Sequence, residues 1–413
     1  MQDKDTTQST FFQLFKPVCS KNFLQQLDNL GIDKYAKKLA TEQLIKLIAY
    51  AQMEQYGGLR DISNSLNDSE FSQAIKLDSI SASQISRKLK DLPPAAIQLL
   101  FKNNVIEIGK EIGFSAITQQ VGRIYLIDSS TISLCLSQYQ WADFRNTKAG
   151  IKLHQRIRFC EEGVIPDKAI ITPAKPADKT QMDNLVVEDQ DTLNVFDRGY
   201  LDYKKFDQYC EKGIRFVTRL KGNAKIEVIQ ELPLDAMDIK KHQQVFLGIK
   251  GINRMENPLR LIETEDTQGN QIIIITNDFN ICTQEISNIY RHRWQIELFF
   301  KWIKQHFQVK HFYGKSQQAV ENQLFIALIT YCLLMLLKLK TGYRGPLLDI
   351  QRLLNTCLFE PFTVFIQKLY RKPKRKSKGR RKLNHELIFE ETVRQVMAGE
   401  VDHLNDLTYD PLI

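Results

Sequence analysis

The sequence has no Cys-x-x-Cys pair, no His-Glu-x-x-His motif and no long low-complexity tract. Its seven cysteines (Cys19, Cys135, Cys160, Cys210, Cys282, Cys332, Cys357) are scattered, odd in number and without a framework. That excludes a disulfide scaffold or a structural zinc site and points to reduced thiols in a cytosolic protein. The opening MQDKDTTQST is polar and lacks the apolar core of a secretory signal. The most apolar stretch, 324–337 (LFIALITYCLLMLL), is fourteen residues long. A bilayer span needs about 20, so a buried core helix and no membrane association are expected.

What is present is ordinary in bulk and uneven in detail. The 413 residues are 43% hydrophobic and 25% charged, a globular composition with room for two or three domains. The formal net charge is +9. The tract 371–382, RKPKRKSKGRRK, holds nine basic residues and no acidic one, so the rest of the chain is neutral on balance. Such a tract either holds a polyanion by counterion release or forms a solvated tail.

Residues 1–92 read as an all-α domain, with apolar positions three and four apart (Leu44, Leu47, Ile48). Short helices are expected at 59–66, at 70–76 behind Asp68 and Ser69 as caps, and at 83–90. The last, SQISRKLK, either enters a major groove with Gln84, Ser86 and Arg87 facing DNA or is a surface helix. Pro93-Pro94 opens a linker with helices over 93–122. From Arg123 the pattern turns to strands, paired first as a hairpin around Glu161-Glu162-Gly163 and then alternating with helices through 222. A mixed α/β sheet follows. Strand-like pieces at 245–249, 259–263 and 272–276 form a β-rich insertion over 223–280. A long helix from Glu285 to Phe307 and the apolar helix belong to a segment 281–345, and 346–413 is a C-terminal region.

Two aspartates end apolar strands: Asp128 after IYLI and Asp197 after LNVF, with Gly199 allowing a sharp turn behind the second. Each alone is compatible with a turn aspartate. In NIYRHRWQIELFFKWIKQHF, residues Tyr290, Arg293, Glu297 and Lys304 fall in one helical arc that Lys301 joins. The same spacing also makes ordinary i, i+4 salt bridges. Three carboxylates from two strands and a helix can hold two magnesium ions about 3.5–4 Å apart, the arrangement that cleaves phosphodiesters. The basic and tyrosyl neighbours of Glu297 would then bind the adjoining phosphates.

LIDSST at Asp128, DRGY at 197–200, FVTRLK at 216–221, ITN at 275–277 and the ungapped Y-x2-R-x3-E-x6-K together resemble the insertion-sequence DDE transposases of the Y-R-E-K class, insertion-sequence family four. The resemblance covers residues 10–345 and implies a ribonuclease-H-like core with a β insertion behind the helical domain. It implies Asp128, Asp197 and Glu297 as catalytic metal ligands, two Mg2+ ions (Mn2+ substituting) and no nucleotide cofactor. Tyr290, Arg293 and Lys304 become DNA contacts, with Lys301, Arg198, Trp294, Gln84 and Arg87 as further candidates. The partners implied are double-stranded DNA, as terminal inverted repeats and target, and a second copy in a synaptic homodimer. The place of action is the bacterial cytoplasm, on nucleoid DNA. A ribonuclease-H-like nuclease that never joins strands shares the triad; a transposon-derived DNA-binding protein would dispense with it.

Other features are weaker. Gly314-Lys315-Ser316 imitates a P-loop ending, but Val309 stands where its first glycine belongs. His154, on IKLHQRI, reads as a packed strand histidine. Arg145, Lys148 and Lys152 either meet phosphate or line a solvated hairpin. Trp141, Trp294 and Trp302 either stack on a flipped base or pack internally.

Overall fold

A computed structural model of the chain describes residues 8–113, 121–160, 163–265, 271–371 and 394. The described chain opens with seven helices: α1 (Thr10–Phe15), α2 (Lys21–Asn29), α3 (Thr41–Met53), α4 (Leu59–Asn64), α5 (Ser69–Ile75), α6 (Ala82–Asp91) and α7 (Pro94–Ile112). Strands β1 (Arg123–Leu134), β2 (Asp143–Arg145), β3 (Lys148–Cys160) and β4 (Gly163–Pro173) follow. Next come α8 (Met182–Leu185), β5 (Thr192–Phe196), α9 (Tyr203–Glu211) and β6 (Arg215–Arg219). Then β7 (Ile226–Glu231), β8 (Ile239–Leu247), β9 (Leu259–Glu265) and β10 (Gln271–Thr276) lead to α10 (Thr283–His292) and α11 (Trp294–His306). The described helices end with α12 (Gln317–Thr341), α13 (Leu347–Cys357) and α14 (Phe362–Leu369). All seven cysteines are free.

The chain divides into two compact units. The first is built from 8–113, 133–149 and 301–371, the second from 121–132 and 150–300.

The first unit is helical, with α12 at its centre. The apolar run is longer as a helix than the fourteen residues suggest: 25 residues, enough by length to cross a bilayer, with 72% of its most apolar window buried. Its side chains meet α1, α3, α6, α7 and α13, each buried leucine or isoleucine contributing about 1.5–3 kcal/mol. Caps mark the short helices as their sequences suggest. Asp68 accepts the backbone N–H groups of Glu70 and Phe71 at the start of α5. For α6 the cap is Ser81, and Gln84 answers it: its Oε1 accepts the Ser81 N–H at 3.1 Å. The stretch after Pro93-Pro94 is one 19-residue helix, α7, with Pro94 in its first turn. Gly314 is explained by packing, since a Cβ there would lie 2.5 Å from Ala319 Cβ. Ser316 caps α12, accepting from the Ala319 N–H.

The second unit is a mixed sheet in the order β4-β3-β1-β5-β6-β10-β9-β8-β7; the short β2 and the first residues of β3, with which it pairs, belong to the first unit. β1, β5 and β6 are parallel, and β3 and β4 form an antiparallel hairpin. A hairpin followed by parallel strands with an intervening helix is the ribonuclease-H-like arrangement expected from the resemblance. The crossover helix α9 buries Phe206 and Tyr209 against Phe196 and Phe216. Phe206 and Phe216 stack with centroids 4.7 Å apart.

The strands of 223–280 are laid onto this same sheet. β10 pairs antiparallel with β6, then β9, β8 and β7 continue outward. β7 lacks a period-2 apolar pattern because it is an exposed edge, which is why periodicity passes over it. Residues 161–162 and 266–270, and the basic tract apart from Arg371, lie outside the described residues.

Asn322 ties α12 to α6: its Nδ2 donates to the carbonyls of Leu89 (3.0 Å) and Leu92 (2.8 Å) in a buried site. Asn322→Ala leaves both acceptors without that donor, an expected loss of about 2–3 kcal/mol in the urea-unfolding free energy.

Candidate active site

The parallel register of β1 and β5 brings the two aspartates together. Their last registered pair is Ile127 opposite Phe196, so Asp128 and Asp197 are each the next residue on neighbouring strands. The apolar residues before them are buried on both faces, as a central parallel strand requires. One expectation needs correcting. Asp128 does not end its strand, because β1 continues to Leu134; what ends after Ile127 is its pairing with β5.

Asp197 opens the turn at 198–200, its Oδ2 accepting the Gly199 N–H at 3.3 Å. Gly199 is not among the glycines with positive φ, so a left-handed turn is not what it supplies. A Cβ there would stand 3.5 Å from Asp178 Oδ2 and 3.8 Å from Asp197 Oδ2. The missing side chain leaves the space between two carboxylates open.

The expected single helix over Glu285–Phe307 is two helices meeting at Arg293. The Arg293 N–H turns to Tyr290 O and the Ile296 N–H to Arg293 O, both i→i−3 bonds at 3.1 Å. This local tightening separates Tyr290, on α10, from Glu297 and Lys304, on α11. Arg293 Nη1 lies 2.8 Å from Asp128 Oδ2 and 3.0 Å from Glu297 Oε1. The guanidinium is buried over the rings of Tyr290 and Trp294, with centroids 5.9 and 4.8 Å away. Trp294 thus supports the arginine.

The electrostatics follow from this crowding. Burial pushes the Asp128 carboxyl up to about 7, with Glu297 and Asp197 adding to the rise and Arg293 opposing it. Burial raises Glu297 as well, again against Arg293. The Tyr290 hydroxyl, buried, is held up at about 12. Three acids around one guanidinium leave an excess of negative charge.

That excess, on carboxylate oxygens, suits a hard divalent cation. Among the described residues no three His, Cys, Asp or Glu side chains converge closely enough to hold a metal; Arg293 stands between Asp128 and Glu297. The donor chemistry fits the cation, and Asp128, Asp197 and Glu297 are the residues able to supply it.

The remaining candidates are dispersed. Lys301 and Lys304 lie further along α11, both half-buried and both lowered by burial. Arg198 and Arg87 are exposed. Gln84 spends its amide oxygen on the α6 cap. Trp302 packs on His306, Phe307 and Tyr331, and Trp141 donates to Lys315 O. His154 is buried on β3, its Nε2 3.0 Å from Thr172 Oγ1, and burial pushes it down to about 4. Lys152 pairs with Asp178 at 3.0 Å, while Arg145 and Lys148 are exposed.

Two polar residues of the site, Ser129 and Asp178, were passed over in the sequence. Asp178 lies in PAKPADKT, an aperiodic connection where an acid gives no pattern signal. ITN at 275–277 has a plain structural role. Asn277 prolongs the β10–β6 ladder with its side chain, accepting the Phe216 N–H and donating to Ile214 O.

Comparison with known proteins identifies the family. Residues 119–333 match the Transposase DDE domain family, and residues 6–77 match a domain of unknown function (DUF4372). The chain belongs to the DDE-domain transposase family, and it is a DDE-type transposase similar to those of insertion sequences. A Sinorhizobium fredii protein named as transposase y4zB is 32% identical over 253 residues, 59% of this chain and 69% of its own. A Geobacillus stearothermophilus protein named as transposase for insertion sequence element IS5377 is 25% identical over 330 residues, 79% of this chain and 84% of its own. The cryo-EM structure of a piggyBac transposase synaptic complex with hairpin DNA is a distant likeness: 11% identity, TM-score 0.44, covering 96% of this chain and 87% of that one.

The Asp128 carboxyl has a testable pH signature. Its folded value, about 7, exceeds the ordinary one near 4, so the folded protein holds a proton that the unfolded chain releases. This group's contribution to stability therefore falls as pH rises from about 4 to about 7. Asp128→Asn removes that slope. In metal-free buffer the denaturation midpoints of wild type and variant should lie closest near pH 4 and separate towards pH 8, the variant then being the more stable.

Proposed function

We propose that this transposase binds the terminal inverted repeats of its own insertion sequence, hydrolyses the phosphodiester at each end and joins the freed 3′-hydroxyl to target DNA. The reading is carried by the register that sets Asp128 beside Asp197, with Arg293 linking Asp128 to Glu297. These three acids would hold the catalytic cations, Mg2+ or Mn2+. Cations held there would supply activation of the attacking oxygen and stabilisation of the leaving one.

The chain's own side chains do the rest. The parallel strands hold Asp128 and Asp197 at a fixed spacing. Arg293, buried among the carboxylates, offsets their repulsion and is in reach of a phosphate oxygen that enters between them. Arg198, Lys301 and Lys304 bind neighbouring phosphates, and Trp294 and Tyr290 brace the guanidinium. In hydrolysis water adds at phosphorus and the DNA 3′-oxygen departs as a hydroxyl; in joining, that 3′-hydroxyl attacks a target phosphorus, the target's own 3′-oxygen departs with the proton, and one phosphodiester replaces another. No nucleotide cofactor is needed for that exchange.

The helical first unit is assigned to end recognition, through Arg87 and the free amide nitrogen of Gln84. The tract at 371–382 is assigned to sequence-independent DNA contact. Two copies act together because two ends must be paired. The protein works in the cytoplasm, on nucleoid DNA.

The test is cleavage of labelled DNA carrying the gene's flanking inverted repeats, with Mg2+ or Mn2+. Cuts at the repeat ends and joined products are expected, lost in EDTA and in each of Asp128→Ala, Asp197→Ala and Glu297→Gln. Cuts without joined products would leave a nuclease. DNA binding without cutting, unchanged by the three substitutions, would overturn the catalytic reading.

A further inference from the structure

A fourth acid lies against the first three. Asp178 Oδ1 accepts the Ser129 hydroxyl at 2.9 Å and the Lys152 ammonium at 3.0 Å. Ser129, the residue after Asp128, donates its backbone N–H to Asp128 Oδ1 at 2.7 Å. The other oxygen of Asp178 faces Gly199, the opening that Asp197 also borders. Lys152 donates as well to Pro176 O at 3.0 Å, anchoring the segment that carries Asp178. His154 lies below, its Nδ1 3.9 Å from Asp178 Oδ1.

The position of Ser129 gives this network its consequence. Pairing of β1 with β5 stops at Ile127, so that ladder does not fix the peptide whose N–H aims at Asp128. The Ser129 side chain, held by Asp178, anchors it instead. Lys152 balances the charge of Asp178, so Asp178 acts by placement.

We propose that Asp178 is a positioning residue for strand cleavage: through Ser129 it fixes the Asp128 carboxylate next to Asp197, so that both present oxygens to a divalent cation. The inference rests on the reading of Asp128 and Asp197 as cation ligands. Groups that orient metal ligands from behind typically contribute 10–100-fold to metal affinity.

The test uses the full-length protein without DNA, titrated with Mn2+ while free Mn2+ is read by electron paramagnetic resonance. Asp178→Ala and Ser129→Ala are each expected to weaken Mn2+ binding about tenfold or more. The double variant should be no weaker than the weaker single one, because both remove one chain of contacts. Thermal melts in EDTA report whether the fold persists; if Asp178→Ala unfolds, Ser129→Ala carries the test alone. Wild-type Mn2+ affinity in the folded variants, or losses that multiply in the double variant, would overturn the proposal. An Asp128→Asn protein that binds Mn2+ as tightly as wild type would instead sink the cation-site reading, and the inference with it.

Discussion

The sheet unit is governed by a charge constraint. Three carboxylates are brought together at the point where two parallel strands stop pairing, and one buried guanidinium stands among them. Desolvating acids of like charge is costly, and burial together with the neighbouring acids raises the Asp128 carboxyl. The surrounding structure holds that unfavourable arrangement in place. The Phe196–Phe206–Phe216 stack fixes the strands on which Asp197 depends, and Asn277 closes the end of β6. The helix junction at Arg293 lets a residue of helical sequence deliver its side chain towards a strand.

Much of this was legible because local chemistry and global structure agree. The apolar runs before Asp128 and Asp197 are buried strands, the cap at Asp68 works through its side chain, and the apolar run of 324–337 is a core helix. Packing and pairing decided the rest. A 3.6-residue period cannot reveal a break that leaves the residues helical on both sides, so Glu285–Phe307 reads as one rod. The strands of 223–280 look like an inserted module along the chain, yet hydrogen bonds merge them into the parent sheet. Asp178 and Ser129 carry no periodic signal, and their importance comes from a contact 49 residues apart in the chain.

The site also shows why similar residue types take different work. Arg293 and Arg198 are both basic and near acids, but one is buried between two carboxylates while the other is exposed on a turn. Gln84, on a helix of basic, groove-binding pattern, gives its amide oxygen to its own helix cap. Trp294 supports a cation, whereas Trp302 packs edge-on against Tyr331. Burial and partner, rather than residue type, separate these roles.

The order in which the helical unit is encoded has a kinetic consequence. Its first helices end at Ile112, but the helix they pack around begins at Gln317. At roughly 5–20 residues per second of synthesis, the apolar faces of α3 and α7 wait on the order of tens of seconds for their partner. The whole sheet unit is made in that interval. The helical unit therefore matures late, its beginning held open until the sheet unit has been made, and a ribosome that stalls before α12 releases a chain with those faces bare.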